Sequence, residues 1–106
     1  ALRHGGIMVN QHESPFYHND AIAMQRAHRR IVESFPISRV YQAHIPTYPS
    51  GHWLFGFAST KYHPVADLKS GSWKSLGIQT RYYNTTLHAG AFSLPVYVEE
   101  LLRDVE

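Results

Sequence analysis

Apolar and polar positions divide the chain into a short series of strands and helices. Gly5-Gly6 reads as a turn, and Ile7, Met8 and Val9 form a continuous apolar run. Such a run predicts a strand buried on both faces. It ends where polarity rises at Asn10 and Gln11. Ligands bind at the C-terminal ends of strands in parallel α/β sheets, which puts Gln11 at a functional rim. Ser14–His18 reads as a loop, with Asn19 or Asp20 placed to cap the following helix. Ala21, Met24, His28, Ile31 and Phe35 recur at three-four spacing, so they form the face packed on a sheet. Arg26, Arg29, Arg30 and Glu33 take the outer face, and Pro36 stops the helix.

Period-two alternation then takes over. In Ile37–Ile45 one face carries Ile37, Arg39, Tyr41, Ala43 and Ile45, the other Ser38, Val40, Gln42 and His44. In Trp53–Thr60, Trp53, Phe55 and Phe57 alternate with Leu54, Gly56 and Ala58. The short link between the two strands predicts an antiparallel hairpin. Lys61–Gln79 reads as irregular, with a helical turn over Val65–Lys69 and Trp73 anchoring the segment to the core. Asn84 or Thr85 caps a short helix running to Ala91. Pro95 starts a last helix that buries Val98, Leu101 and Leu102.

At 106 residues the chain makes at most one small domain, and its 43% hydrophobic share suits a globular protein. It has no cysteine, which excludes disulfides and thiolate metal sites and agrees with a cytoplasmic location. No apolar run approaches the roughly 20 residues of a membrane span, so no membrane partner is expected. The net charge is +2, and Arg26, Arg29 and Arg30 read as a solvated helix face. With no stripe of interleaved basic and aromatic residues, no nucleic-acid partner is expected. Eight histidines are present, yet none falls into the His-Glu-x-x-His spacing, so no metal site is expected.

The link between the two hairpin strands is Ile45-Pro46-Thr47-Tyr48-Pro49-Ser50-Gly51. Proline fixes its own φ and biases the preceding residue to extended geometry, so Ile45 and Tyr48 are expected to be extended. The outcome is a stiff loop. It is either a rigid connector whose tyrosine only packs, or a loop that presents Tyr48 accurately to a ligand.

This loop resembles that of the spermidine synthases, the polyamine aminopropyltransferases. Other segments agree in order: Leu2-Arg3-His4-Gly5-Gly6, Gln11-His12-Glu13-Ser14-Pro15, Tyr82-Tyr83-Asn84, His88 and Ala91-Phe92-Ser93-Leu94-Pro95. Each motif is short, but the ordered set is specific and spans nearly the whole chain. The resemblance implies an α/β fold: residues 1–106 as the C-terminal part of a single Rossmann-like methyltransferase-type domain, strand–helix–strand plus antiparallel hairpin and C-terminal helices. The family's Gly-rich turn, ribose-binding acid and Asp-Ser-x-Asp-Pro segment with the catalytic aspartate are expected upstream. The isolated chain is therefore expected to be inactive. Its first strand would lack a neighbour, leaving an apolar sheet edge exposed.

The implied reaction is transfer of an aminopropyl group from decarboxylated S-adenosylmethionine, a co-substrate, to putrescine. Spermidine and methylthioadenosine are the products, and no cofactor or metal is needed. Tyr48 matches the family's loop tyrosine, which orients the attacking amine. With a pKa of about 10 it is a poor base. Gln11 either accepts from the far ammonium or satisfies loop backbone. Glu13 either adds negative charge or bonds loop backbone. Trp53 either walls the diamine's methylenes or packs as a core aromatic. His52 and Trp53 depart from the Gln-Ile pair common in the family, which leaves the amine open. His88, Tyr82 and Tyr83 read as structural. A homodimer or homotetramer is implied for the full-length protein. The alternatives are a catalytically inactive interaction module of the same fold, or an aminopropyltransferase for another amine such as agmatine.

Overall fold

The computed structural model describes residues 3–103 and 105. Leu2, the first residue of the resemblance, lies outside the described residues. The elements follow the order β1 (Ile7–Gln11), α1 (His18–Ser34), β2 (Ile37–His44), β3 (His52–Ser59), α2 (Ser70–Ser75), α3 (Thr85–Ala91) and α4 (Val96–Leu102).

The sheet order is β1-β3-β2, with β3 antiparallel to both neighbours. β2 and β3 form the expected hairpin, in register from Ile37 opposite Ser59 to His44 opposite His52. β3 returns between β1 and β2, which makes β1 an edge strand. Its side chains alternate in exposure, with Ile7 and Val9 51% and 59% exposed, so one face of β1 is open rather than both faces being buried as the apolar run predicted.

Alternation sets the two faces. Met8 pairs with Ala58 and Asn10 with Gly56, on the face that also carries Ser38 and Val40. α1 and α4 cover this face, and Met24, Val40, Leu54, Val98, Leu102 and Val105 form its core. Ala21, Met24, His28 and Ile31 of α1 are buried, as the stripe predicts. Phe35 is instead a half-buried C-cap in extended conformation, as expected of a residue that precedes proline. The N-cap is Tyr17, without a side-chain bond, rather than Asn19 or Asp20. Asp20 falls in the first turn, where its charge complements the helix dipole.

The opposite face carries Tyr41, Phe55 and Phe57 and is covered by α3. Asn84 caps α3, its Oδ1 accepting from Leu87 N–H at 2.7 Å. His88 ties α3 to the irregular segment. One ring nitrogen bonds the Tyr83 hydroxyl at 2.7 Å and the other the Pro64 carbonyl at 2.8 Å. Tyr83 and His88 thus fix the C-terminal segment. Trp73 lies on α2 and packs edge-on against Tyr83 at 5.0 Å, rather than entering the core. Pro95 is the N-cap of α4, which buries Val98 and Leu102 and leaves Leu101 half-buried.

Candidate functional site

The 45–51 loop is two consecutive β-turns. Tyr48 N–H donates to Ile45 O at 3.0 Å, and Gly51 N–H donates to Tyr48 O at 3.1 Å. A proline occupies the first corner of each turn. The second turn has Ser50 at its other corner with φ 68°, the type II pattern. Gly51 follows at φ 68°, and Ile45 N–H donates to Gly51 O at 3.0 Å, closing the loop.

A non-glycine residue at positive φ costs on the order of 1 kcal/mol, and side-chain bonds offset this at Ser50. The buried Ser14 hydroxyl and the Ser50 hydroxyl are 2.9 Å apart. Ser50 O–H donates to His52 O at 3.2 Å, and His52 N–H donates to Ser50 Oγ at 3.3 Å. Ser14 also accepts from Phe16 N–H at 3.3 Å. The Ser-Pro after Glu13 and the Pro-Ser-Gly of the loop are thereby joined, a link that sequence reading missed.

Tyr48 sits at the middle of this loop, half exposed. Its ring meets the edge of Trp53 at 5.1 Å, and Trp53 Nε1–H donates to Pro49 O at 3.1 Å. Trp53 and Phe55 share one face of β3, and Gln11 pairs with Phe55 on that face. His12 N–H donates to Leu54 O at 2.9 Å, so the pairing runs one residue past the end of β1. Tyr48, Trp53 and Gln11 therefore gather at one end and one face of the sheet, and Glu13 follows two residues after Gln11 in the chain. Gln11 is exposed, and Glu13 and Trp53 are half-buried.

His12, between Gln11 and Glu13, points the other way and is 3% exposed. Its Nε2 lies 3.4 Å from Nδ1 of the fully buried His28, and its Nδ1 lies 3.4 Å from Asn10 Nδ2. Burial, and second the neighbouring His28, lowers the His12 pKa to about 4. The ring is neutral at pH 7. Strand alternation makes the burial of His12 and the outward aim of Gln11 one fact. Only glycine fits beneath: a Cβ on Gly56 would lie 2.7 Å from His12 Nε2 and collide with Asn10 Oδ1. That oxygen is buried without a hydrogen-bond partner among the described residues.

A cavity of about 320 Å³ lies between the sheet and α3, bordered by Val9, Tyr41, Phe57, Leu87, His88 and Phe92. No carboxylate lines it, and an alkyl dication buried there would lose hydration without replacement. Among the described residues no group of three His, Asp or Glu side chains is placed to hold a metal ion, and no helix is long and apolar enough to cross a membrane.

The polyamine aminopropyltransferase of Clostridium beijerinckii is 67% identical over 102 residues, 96% of this chain and 36% of the relative. That of Alkaliphilus oremlandii is 66% identical over 106 residues, all of this chain and 37% of the relative. The crystal structure of spermidine synthase from Thermotoga maritima superposes with a TM-score of 0.90 at 36% identity, over 97% of this chain and 36% of that one. A spermidine synthase in complex with the transition-state analogue AdoDATO also superposes at 0.90 and 36% identity, over 97% of this chain and 34% of that one. The fold is thus the Rossmann-like part of these enzymes, and the chain spans about a third of the length of the curated relatives it matches. The spermine/spermidine synthase domain matches residues 1–70, two-thirds of the chain, and the chain belongs to that family.

Proposed function

We propose that this chain forms the amine-binding part of a polyamine aminopropyltransferase that makes spermidine from putrescine and decarboxylated S-adenosylmethionine. In this reading residues 1–106 are the C-terminal part of one catalytic domain, and a preceding portion supplies the donor site and the catalytic aspartate. The observation that carries the proposal is the convergence of Tyr48, Trp53 and Gln11 at one end of the sheet, with Tyr48 fixed by two proline turns.

The chemistry assigns each side chain a task. A neutral amine nitrogen attacks the propyl carbon beside the sulfonium. The C–N bond forms as the C–S bond breaks, and the bonding pair leaves on sulfur. The attacking nitrogen sheds a proton to a carboxylate. The Tyr48 hydroxyl aligns the amine by hydrogen bonding. Gln11 Oε1 accepts from the far ammonium, directly or through water, and Glu13 contributes negative charge. Trp53 offers an apolar wall to the methylenes and supports the Tyr48 ring. The sulfonium is already a good leaving group, so no metal or cofactor is assigned. The assembly is taken to be a homodimer or homotetramer acting in the cytoplasm.

The test replaces the matching 102 residues of the C. beijerinckii relative with this chain. Methylthioadenosine release from donor and putrescine is expected from the chimera and not from the 106-residue chain alone. A chimera that binds donor but leaves putrescine unreacted while using agmatine overturns the choice of amine. One inactive with every amine supports the interaction-module alternative.

A further inference from the structure

We propose that His52 is a positioning residue that holds the 45–51 loop, and with it Tyr48, against β2 and α4. This rests on the assignment of Tyr48 to the amine. His52 is the residue that ends the loop and begins β3. Its side chain lies on the face opposite Trp53, so it can reach the amine site only through the loop.

The neighbouring groups fix the ring's orientation and its proton. Gln42 Nε2 donates to the Ser93 carbonyl at 3.2 Å, which leaves Gln42 Oε1 as an acceptor. His52 Nε2 lies 2.7 Å from that oxygen, so Nε2 carries the proton. Nδ1 is then an acceptor, and the Tyr97 hydroxyl, 2.8 Å away, donates to it. Each of the three bonds then pairs one donor with one acceptor, and one neutral tautomer satisfies the series. Burial, and second the proximity of His44, lowers the His52 pKa, which favours that neutral form. Phe16 packs edge-on against the imidazole at 5.6 Å, and Tyr97 does so at 5.9 Å.

The backbone of the same residue is held from the loop side. Its N–H and C=O both bond the Ser50 hydroxyl, which in turn meets Ser14. His52 therefore joins the 45–51 loop and β2 to the distant α4 through Tyr97, and through Gln42 to the α3–α4 link. The next residue, Trp53, bonds Pro49 O and supports the Tyr48 ring. A tilt of the backbone at His52 would move the Trp53 ring, and with it the support of Tyr48 and the bond to Pro49.

The test uses the complete enzyme, with this chain set into the C. beijerinckii relative as above. Donor and putrescine are varied in turn for parent, His52→Ala, His52→Gln, Tyr97→Phe and Tyr48→Phe. His52→Ala is expected to raise KM for putrescine on the order of tenfold while KM for the donor stays within twofold. Tyr97→Phe keeps the bond to Gln42 and is expected to raise the putrescine KM on the order of threefold. It carries the test if His52→Ala fails to fold. His52→Gln is expected to recover most of the loss, because its amide can both donate to Gln42 and accept from Tyr97. In the parent, the ¹⁵N shifts of His52 should report a proton on Nε2. A putrescine KM unchanged in His52→Ala and Tyr97→Phe, with Tyr48→Phe impaired, overturns this proposal and leaves the amine assignment standing. Equal changes in both KM values also overturn it, because they mark a merely structural residue. Parent-like kinetics in Tyr48→Phe overturn the amine assignment itself, and this proposal with it.

Discussion

Replacing Gly56 with alanine should disturb the end of β1 that carries Gln11 and leads on to Glu13. The added Cβ would lie 2.7 Å from His12 Nε2 and 3.3 Å from His12 Cε1, and it would collide with Asn10 Oδ1. These are side-chain ends, but His12 is buried against the fully buried His28 and has little room to retreat. Overpacking of this kind costs about 1–3 kcal/mol. Displacing His12 also weakens its bonds to Asn10 and His28, each worth roughly 0.5–1.5 kcal/mol. Alanine is better than glycine within a strand by roughly 0.5–1 kcal/mol, which offsets part of this. The net expectation is a loss of about 2–4 kcal/mol. In the chimera that is a fall in Tm on the order of 5–10 °C. A double-mutant cycle with His12→Ala isolates the cause, because removing the ring should relieve much of the penalty. A parent-like Tm for Gly56→Ala, or the same penalty with and without His12, would refute the reasoning.

Two further outcomes concern pH and association. The folded His12 has a pKa of about 4 against an unfolded value of 6.5, so its contribution to stability is complete above pH 6.5 and is lost as pH falls from there towards 4. The full loss is on the order of 3 kcal/mol. His12→Gln should flatten that limb of the stability profile, and an unchanged limb would mean the histidine pair is not its source. Because Ile7 and Val9 are exposed on an unpaired edge, the 106-residue chain alone should self-associate, and Val9→Lys should reduce this in sedimentation. A dilute monomer that unfolds cooperatively would contradict that expectation.

Much of the fold was legible because its signals are local. The stripe from Ala21 to Ile31 and the alternation around Val40 and Leu54 name faces that stay buried whatever the rest of the protein does. β1 was misread because burial on both faces depends on the layers that cover the sheet, and three apolar residues do not say whether both faces are covered. The antiparallel hairpin was expected, but the placement of β3 between β1 and β2 was not, since local pattern carries no strand order. The α1 cap was misplaced because several polar residues lie close together, and the chain begins its helix at His18, just ahead of them.

The same distinction holds at the site. Tyr48, Gln11, Glu13 and Trp53 stand out through motif resemblance, and strand register together with the loop brings Tyr48, Gln11 and Trp53 to one end of the sheet. The Gln42–His52–Tyr97 series joins residues up to 55 positions apart and leaves no local trace. The only hint was that His52 departs from the family's usual residue.

The most direct test is the kinetics of Tyr48→Phe in the chimera. Tyr48 is held by backbone turns and by its ring contact with Trp53, so the substitution removes the hydroxyl and leaves the loop. Loss of that contact should cost about 1–3 kcal/mol of transition-state stabilisation, which is roughly a 5- to 150-fold fall in kcat/KM for putrescine. Donor binding should be unchanged. Parent-like putrescine kinetics would make Tyr48 a packing residue and contradict the assignment of this loop to the amine site.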